Sequence, residues 1–222
     1  MKKTYAIITV ILFVLFTAFT LAVKFIDVQP IGPDGSKVGF ASLNEAVLKT
    51  TGTNETADTF SDLCIGLAIA VAALFAFTGL LQLIKRKSFL KVDFDLYALA
   101  SFYIITATIY VIFLFLAVNF RPVFDDGVLE SSYPSSHVFC SVGIFMTAML
   151  QVRERIKNKT LSTILQIGCI VMSVAVVISK LLAGVHWFTD IIGGILGAAM
   201  LIADYRLMNE YAKTLQNKIR SK

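Results

Sequence analysis

Long apolar runs separated by short polar segments dominate the pattern along the chain. Six runs approach or reach the roughly 20 residues that cross a bilayer as a helix; they are 5–23, 63–84, 96–118, 138–152, 161–182 and 187–203. The fourth covers only about 22 Å at 1.5 Å per residue, so its outer end should begin inside the membrane boundary or in a protein-lined cavity. The pattern predicts an all-α polytopic membrane protein with six transmembrane helices.

The polar segments set the expected boundaries of a single membrane domain, residues 1–222. Residues 24–61 contain Gly32-Pro33-Asp34-Gly35 and no spanning run, so we predict an external loop, with a short amphipathic helix at 42–48. The run 5–23 is longer than a typical signal core and no Ala-x-Ala site follows it. This favours a retained first span over a cleaved signal. The remaining parts are core catalytic helices within 63–203 and a cytoplasmic tail, 204–222.

Basic residues are distributed unevenly between the two sides of this predicted bundle. With a cytoplasmic amino terminus, fifteen of the twenty Lys and Arg residues fall inside, and five remain outside: Lys24, Lys37, Lys49, Arg121 and Lys180. Cytoplasmic loops carry such an excess. The bias therefore predicts that both termini are cytoplasmic and that 119–137 and 183–186 lie on the external face.

Composition agrees with a membrane protein and narrows the partners. The chain is 57% hydrophobic and 16% charged, with a mean hydropathy of +0.77. The net charge of +5 comes from residues beside apolar runs, so it indicates topology and no nucleic-acid partner. Three cysteines lie in apolar runs without metal-ligand spacing: Cys64, Cys140 and Cys169. We expect no disulfide, no metal site and no cofactor.

Candidate chemistry is concentrated at the joint between the last two runs. Lys180, His186 and Asp190 lie within eleven residues, and ionisable groups near a bilayer are costly to desolvate unless they have partners. His186 and Asp190 are four apart, so on a helix the carboxylate can orient the imidazole. The alternative to a catalytic His186 is a histidine that is hydrogen-bonded at the membrane interface and has no catalytic role. We interpret Trp187, which follows it, as an interfacial anchor.

The second histidine, His137, follows Tyr133-Pro134-Ser135-Ser136 on the same predicted face. Arg121, Lys180 and the serine hydroxyl and backbone N–H groups are donors that suit a phosphate. A neutral imidazole can attack phosphorus while a protonated one gives its proton to the departing oxygen. Asp125, Asp126 and Glu130 are better interpreted as a solvated loop than as a metal site. Gly193 and Gly197 indicate close helix packing within the bundle.

These residues resemble the type 2 phosphatidic acid phosphatase family, in the superfamily shared with bacterial acid phosphatases and vanadium haloperoxidases. The family pattern is a Lys seven residues before Arg-Pro, then Pro-Ser-Gly-His, then Ser-Arg-x5-His-x3-Asp. Here Arg121-Pro122 match the first motif, Pro134-Ser135-Ser136-His137 the second, and the stretch from Ser179 to Asp190 the third. Leu114 stands where the first motif has its Lys, Ser136 replaces Gly, and Lys180 replaces Arg.

The resemblance implies a metal-independent membrane phosphatase acting on a lipid phosphate or diphosphate. His186 would form a phosphohistidine, Asp190 would orient it and His137 would be the general acid. The phosphate would be held by four residues: Arg121, Ser135, Ser136 and Lys180. Substrates of the phosphatidic acid, phosphatidylglycerol phosphate or polyprenyl diphosphate type are expected at the external face of a bacterial cell membrane. The alternative hypothesis is a weakened or inactive lipid-phosphate binder that lost the first-motif lysine.

Overall fold

The structure is a computed structural model that describes residues 1–124 and 127–221. This part of the chain contains seven α-helices: α1 Lys2–Phe25, α2 Ala41–Thr51, α3 Glu55–Arg86, α4 Phe94–Leu116, α5 Ser136–Arg155, α6 Lys159–Ala183 and α7 Phe188–Arg220. Among the described residues, β pairing is limited to two isolated bridges, Gln29–Val38 and Phe120–Ser131. The predicted all-α class is confirmed.

Five of these helices, α1, α3, α4, α6 and α7, are long and apolar enough to cross a membrane. The remaining long helix, α5, has 20 residues, about 30 Å at 1.5 Å per residue, and is longer than the run 138–152 suggested. It packs against α3, α6 and α7. Its polar residues Ser141, Thr147 and Gln151 are fully buried, so protein and not lipid surrounds them. Hydropathy alone therefore underestimates this helix.

Two predicted boundaries differ from the helix bounds in the structure. The short helix predicted at 42–48 is present as α2, but the loop predicted to end at residue 61 ends earlier, because the first turns of α3 lie within it. Helix α3 begins at Glu55, where Asn54 Oδ1 accepts the N–H of Ala57 at 3.0 Å as an N-cap. The tail 204–222 is largely a continuation of α7 to Arg220. Its polar turns stay helical because they pack on other helices, as where Lys213 contacts Glu154 at 2.5 Å.

The two ends of the helix bundle differ in their chemistry. At one end Asp93 contacts three arginines at 2.7 to 3.5 Å: Arg86, Arg155 and Arg220. At the other end the start of α3 meets the end of α6, where the N–H of Asn54 donates to the carbonyl of Ala183 at 3.1 Å. This second end holds both histidines.

Helix α7 packs closely against Tyr133 and Phe139, which lie on either side of His137 in the sequence, because its glycines have no side chain there. A Cβ added at Gly193 would lie 2.4 Å from the ring of Tyr133, and one at Gly197 would lie 2.9 Å from Phe139. Tyr133 and Phe139 are each 1% exposed. The two glycines thus serve contacts inside this chain and fix α5 and its preceding turn against α7.

Candidate functional site

The predicted site residues lie on three segments that meet at one end of the bundle. His186 lies between α6 and α7, Arg121 lies between α4 and α5, and Ser135 is the N-cap of α5. Ser135 N–H donates to the carbonyl of Asp190 at 3.0 Å, which joins α5 to α7. Trp187 Nε1 donates to the carbonyl of Phe120 at 2.6 Å, which joins the 117–135 segment to the same place.

His186 is buried, with only 4% of its surface exposed. Its Nδ1 lies 3.6 Å from Asp190 Oδ2, slightly beyond hydrogen-bond length, so the carboxylate orients the ring mainly by charge. Its Nε2 has no hydrogen-bond partner among the described residues. The side chain lines a cavity of about 50 Å³ together with Arg121, Glu130 and Ser136. The unpartnered nitrogen is therefore available to a group in that cavity.

Asp190 is held on both carboxylate oxygens. Oδ2 accepts the N–H of Trp187 at 3.0 Å, at the amino terminus of α7, and Oδ1 accepts from the side chain of Asn119 at 3.3 Å. Asn119 Oδ1 in turn accepts the N–H of Gly39 at 3.1 Å. Asp190 and Asn119 are both fully buried. The carboxylate that faces His186 is thus fixed by three separate parts of the chain.

The pKa of His186 lies below its ordinary value of 6.5 because burial disfavours the charged imidazolium. Asp190 opposes this shift, whereas the positive charges of Arg121 and Lys180 add to it. The lowered pKa keeps the ring neutral near pH 7. With Nδ1 toward the carboxylate, the neutral tautomer carries its proton there and leaves the Nε2 lone pair free.

His137 lies in the first turn of α5 and contacts a different carboxylate. Its Nε2 is 2.9 Å from Asp62 Oδ1 of α3, and its buried Nδ1 has no partner among the residues described. The interaction of His137 with Asp62 was not predicted, because it joins positions 75 residues apart. Asp62 Oδ1 also lies 4.0 Å from Lys180 Nζ, so His137 and Lys180 approach the same carboxylate.

Lys180 is directed toward α3. Its Nζ donates to Asp58 Oδ1 at 2.6 Å and to Ser61 Oγ at 3.1 Å, and it lies 4.0 Å from Asp62 Oδ1. Lys180 is 1% exposed, so this ion pair compensates a charge that would otherwise be buried alone. The sequence did contain a signal, since Asp58 and Asp62 lie one helical turn apart at the start of a spanning helix.

Arg121 pairs with Glu130 across a narrow turn. Its Nη2 lies 3.1 Å from Glu130 Oε2, and its N–H donates to the Glu130 carbonyl at 2.9 Å. Glu130, which was interpreted as part of a solvated loop, thus contacts a site residue. Asp125 and Asp126 lie outside the described residues. Within the described part of the chain, no group of three His, Cys, Asp or Glu residues could hold a metal ion.

Buried polar atoms without a protein partner concentrate around these histidines. In the described part of the chain they include the hydroxyls of Ser132 and Ser135, Nδ1 of His137, and both ring nitrogens of His186. Most buried polar groups in proteins are hydrogen-bonded, so these atoms suit a ligand with several oxygens, to which the serine hydroxyls can donate. Ser135 contributes its hydroxyl only, because its N–H is bonded to Asp190.

The structure changes the interpretation of Trp187 and adds a detail about Leu114. Trp187 is no interfacial anchor: it is 3% exposed, and its indole N–H is bonded inside the protein. The neighbouring glycine explains why this loop packs so tightly, since Gly184 has φ of +68° and a Cβ there would lie 2.3 Å from the Gly52 carbonyl oxygen. Leu114 lines the cavity beside His186, so the wall is apolar where the motif lysine is expected.

The fold and the site define an all-α, membrane-integral protein with a buried histidine–aspartate pair beside a cavity that suits an anion. The chain belongs to the PAP2 superfamily, whose sequence profile matches residues 67–213. The family resemblance drawn from the three motifs is thereby confirmed, and family membership supports a phosphatase activity.

A solved structure shares the fold along nearly the whole length. It is the crystal structure of the first transmembrane PAP2 type phosphatidylglycerolphosphate phosphatase from Bacillus subtilis, with a TM-score of 0.55 and 20% sequence identity. The similarity covers 96% of this chain and 97% of that chain. A search of curated proteins gave no match.

Proposed function

We propose that this protein is a metal-independent lipid phosphatase that hydrolyses a lipid phosphate or diphosphate through a phosphohistidine on His186. One observation carries the proposal: the buried His186 lines a cavity with Arg121 and Ser136, its Nε2 has no partner among the described residues, and its Nδ1 faces a fixed carboxylate. A neutral imidazole so oriented is an activated nucleophile. Six membrane spans, cytoplasmic termini, an external active site and a bacterial cell membrane belong to the same proposal. The number of spans rests on the lengths of the apolar runs, the orientation on the basic-residue bias, and the bacterial membrane on the small size and the topology.

In the first step His186 Nε2 attacks phosphorus, and the bond from phosphorus to the lipid oxygen breaks. His137 gives its proton to that oxygen. The leaving group is therefore the lipid alcohol or, from a diphosphate, the lipid monophosphate with that oxygen protonated. Asp190 stabilises the positive charge that develops on His186, since its position is fixed before the reaction begins.

In the second step a water molecule attacks the phosphohistidine. His137, now neutral, takes a proton from that water, the bond from phosphorus to Nε2 breaks, and inorganic phosphate leaves. Arg121 with Ser135 and Ser136 would hold the phosphate oxygens, with Lys180 adding its positive charge from the side of α3. The proton returned to His137 restores the starting state.

The membrane setting and the similar structure support the proposed substrate class. That protein is a phosphatidylglycerolphosphate phosphatase, so phosphatidylglycerol phosphate is the first lipid to test, with phosphatidic acid and a polyprenyl diphosphate beside it. The alternative is a lipid-phosphate binder with weak or no turnover. Leu114 favours that alternative, because it removes a charge-assisted donor, and losing one such donor costs about 3–4 kcal/mol of transition-state stabilisation.

Purified protein in detergent should release phosphate from at least one of these lipids in EDTA. His186→Ala should abolish turnover, and a phosphoenzyme stable to base and labile to acid should form in the parent only. Gly168→Ala, a change on the exposed face of α6 with open space around it, is the matched control. No release from any of the lipids, together with lipid binding unaffected by His186→Ala, would leave the binder as the function.

A further inference from the structure

The start of α3 supplies acidic residues that the three motifs do not account for. Asp58 and Asp62 lie one turn apart and both contact site residues, Lys180 and His137. The superfamily profile begins to match at residue 67, so this turn precedes the matched region. The role of these residues therefore has to be inferred from their contacts in this chain.

The two carboxylates have different partners. Asp58 contacts Lys180 Nζ at 2.6 Å, whereas Asp62 lies 4.0 Å from that atom and 2.9 Å from His137 Nε2. Asp58 thus balances most of the buried lysine charge. Asp62, whose side chain is 60% exposed, is left to interact chiefly with the imidazole.

The contact with Asp62 determines which nitrogen of His137 can act on a substrate. Nε2 is occupied by the carboxylate, so a protonated His137 has Nδ1–H as its remaining donor. Nδ1 is buried and has no partner among the described residues. A carboxylate on one nitrogen fixes the ring and favours the imidazolium, as it does for His186 on the other side of the site.

We propose that Asp62 is a positioning residue that orients His137 and stabilises its protonated form, so that Nδ1–H gives its proton to the leaving lipid oxygen. This inference rests on the proposed function. In the step concerned, the phosphorus–oxygen bond breaks, the oxygen takes the proton from Nδ1, and His137 becomes neutral while still bonded to Asp62.

The test uses the leaving group, because a residue that acts through a general acid matters only when the leaving oxygen needs a proton. For phosphatidic acid, whose leaving group is an alkoxide, Asp62→Asn should lower kcat/KM by about tenfold or more, within the range of general acid catalysis. For a long-chain nitrophenyl phosphate, whose leaving group is a stable phenolate, kcat/KM should fall by less than about twofold. The comparison uses kcat/KM because kcat also includes hydrolysis of the phosphohistidine, in which His137 acts as a base with either substrate. Asp62→Glu should recover part of the activity on phosphatidic acid. Glu55→Gln, an exposed change on the same helix, should match the parent on both.

Equal losses on both substrates, or no loss on either, would overturn the role of Asp62. Thermal unfolding of each variant distinguishes a loss of general acid catalysis from a folding defect, because a folding defect would lower the rate equally with both substrates. A parent that hydrolyses neither compound would instead defeat the proposed phosphatase function, and the role of Asp62 with it.

Discussion

His186 is neutral before it meets a substrate because it is buried beside two cations and one fixed carboxylate. Burial is the largest of these effects, and it lowers the pKa of the imidazole below 6.5. The proposed nucleophile His186 and its partner Asp190 thus belong to one packed unit with Trp187 and Asn119. This unit sets the protonation state that the proposed chemistry needs.

The lowered pKa of His186 predicts the pH dependence of the reaction. The neutral ring attacks, so kcat/KM should fall as pH drops through the pKa of the folded protein, which places the acid limb below pH 6.5. Steady-state rates between pH 4 and 8 measure it. Asp190→Asn should move the limb to lower pH, because the carboxylate favours the imidazolium. It should also reduce kcat by about 10² or more, since the ring loses its tautomer control.

The lowered pKa of His186 also makes the stability of the folded protein depend on pH. Between the folded pKa and 6.5 the unfolded chain binds more protons at His186 than the folded chain does. The free energy of unfolding therefore has the full contribution of the neutral His186 above pH 6.5. That contribution is lost as the pH falls from 6.5 through the pKa of the folded protein. An acid limb at or above pH 6.5 would contradict both the burial argument and this stability change.

At the scale of elements, α7 and the turn before α5 fit together because Gly193 has no side chain. Gly193→Ala would place a Cβ 2.4 Å from the Tyr133 ring, which is held by a 2.9 Å hydrogen bond to Thr20. The ring cannot move freely, so we expect a loss of about 1–3 kcal/mol. Thermal unfolding in detergent measures it. Gly168→Ala, with open space around its position, should leave the unfolding temperature unchanged or raise it slightly.

Helices α3 and α6 are joined by an ion pair between the buried Lys180 and the half-buried Asp58. Asp58→Asn leaves the buried lysine charge uncompensated and should destabilise the protein by roughly 3–5 kcal/mol. Lys180→Met leaves a carboxylate that water can reach and should cost less. The double variant should be less destabilised than the sum of the two. A double-mutant cycle of unfolding free energies gives the coupling. Additive losses would mean that the two side chains do not interact in the folded protein.

Most of the elements could be predicted from apolar run length, because a spanning helix must satisfy its backbone hydrogen bonds internally over about 20 residues. Helix α5 was predicted at 138–152 but is longer, Ser136–Arg155, because it continues into polar residues beyond the apolar run. The start of α3 at Glu55 was also missed, since polar residues can continue a helix into the aqueous boundary. Both errors arise where tertiary contacts stabilise polar residues in a helix.

The whole molecule separates a basic end from the end that carries the histidines. If basic loops remain in the cytoplasm, a membrane-impermeable maleimide should label Thr50→Cys in intact cells and Ser221→Cys only after lysis. The test uses a background with alanine at the three native cysteines: Cys64, Cys140 and Cys169. The reverse labelling pattern would place the site on the cytoplasmic face and would overturn the predicted orientation.

The sequence by itself determined the membrane class and the family, and it predicted His137, His186, Asp190 and Arg121 as site residues, because run length and motif spacing are local properties of the chain. The tertiary structure alone decided that Lys180 pairs with Asp58, that His137 contacts Asp62, and that Asn119 and Gly39 hold Asp190 in place. These contacts join distant positions through the packing of α3 and α7. The spacing of Asp58 and Asp62 indicates that both lie on one face of α3, but no periodicity along the chain indicates which residues they contact. Burial of His186, which sets its protonation, likewise exists only after the helices have assembled.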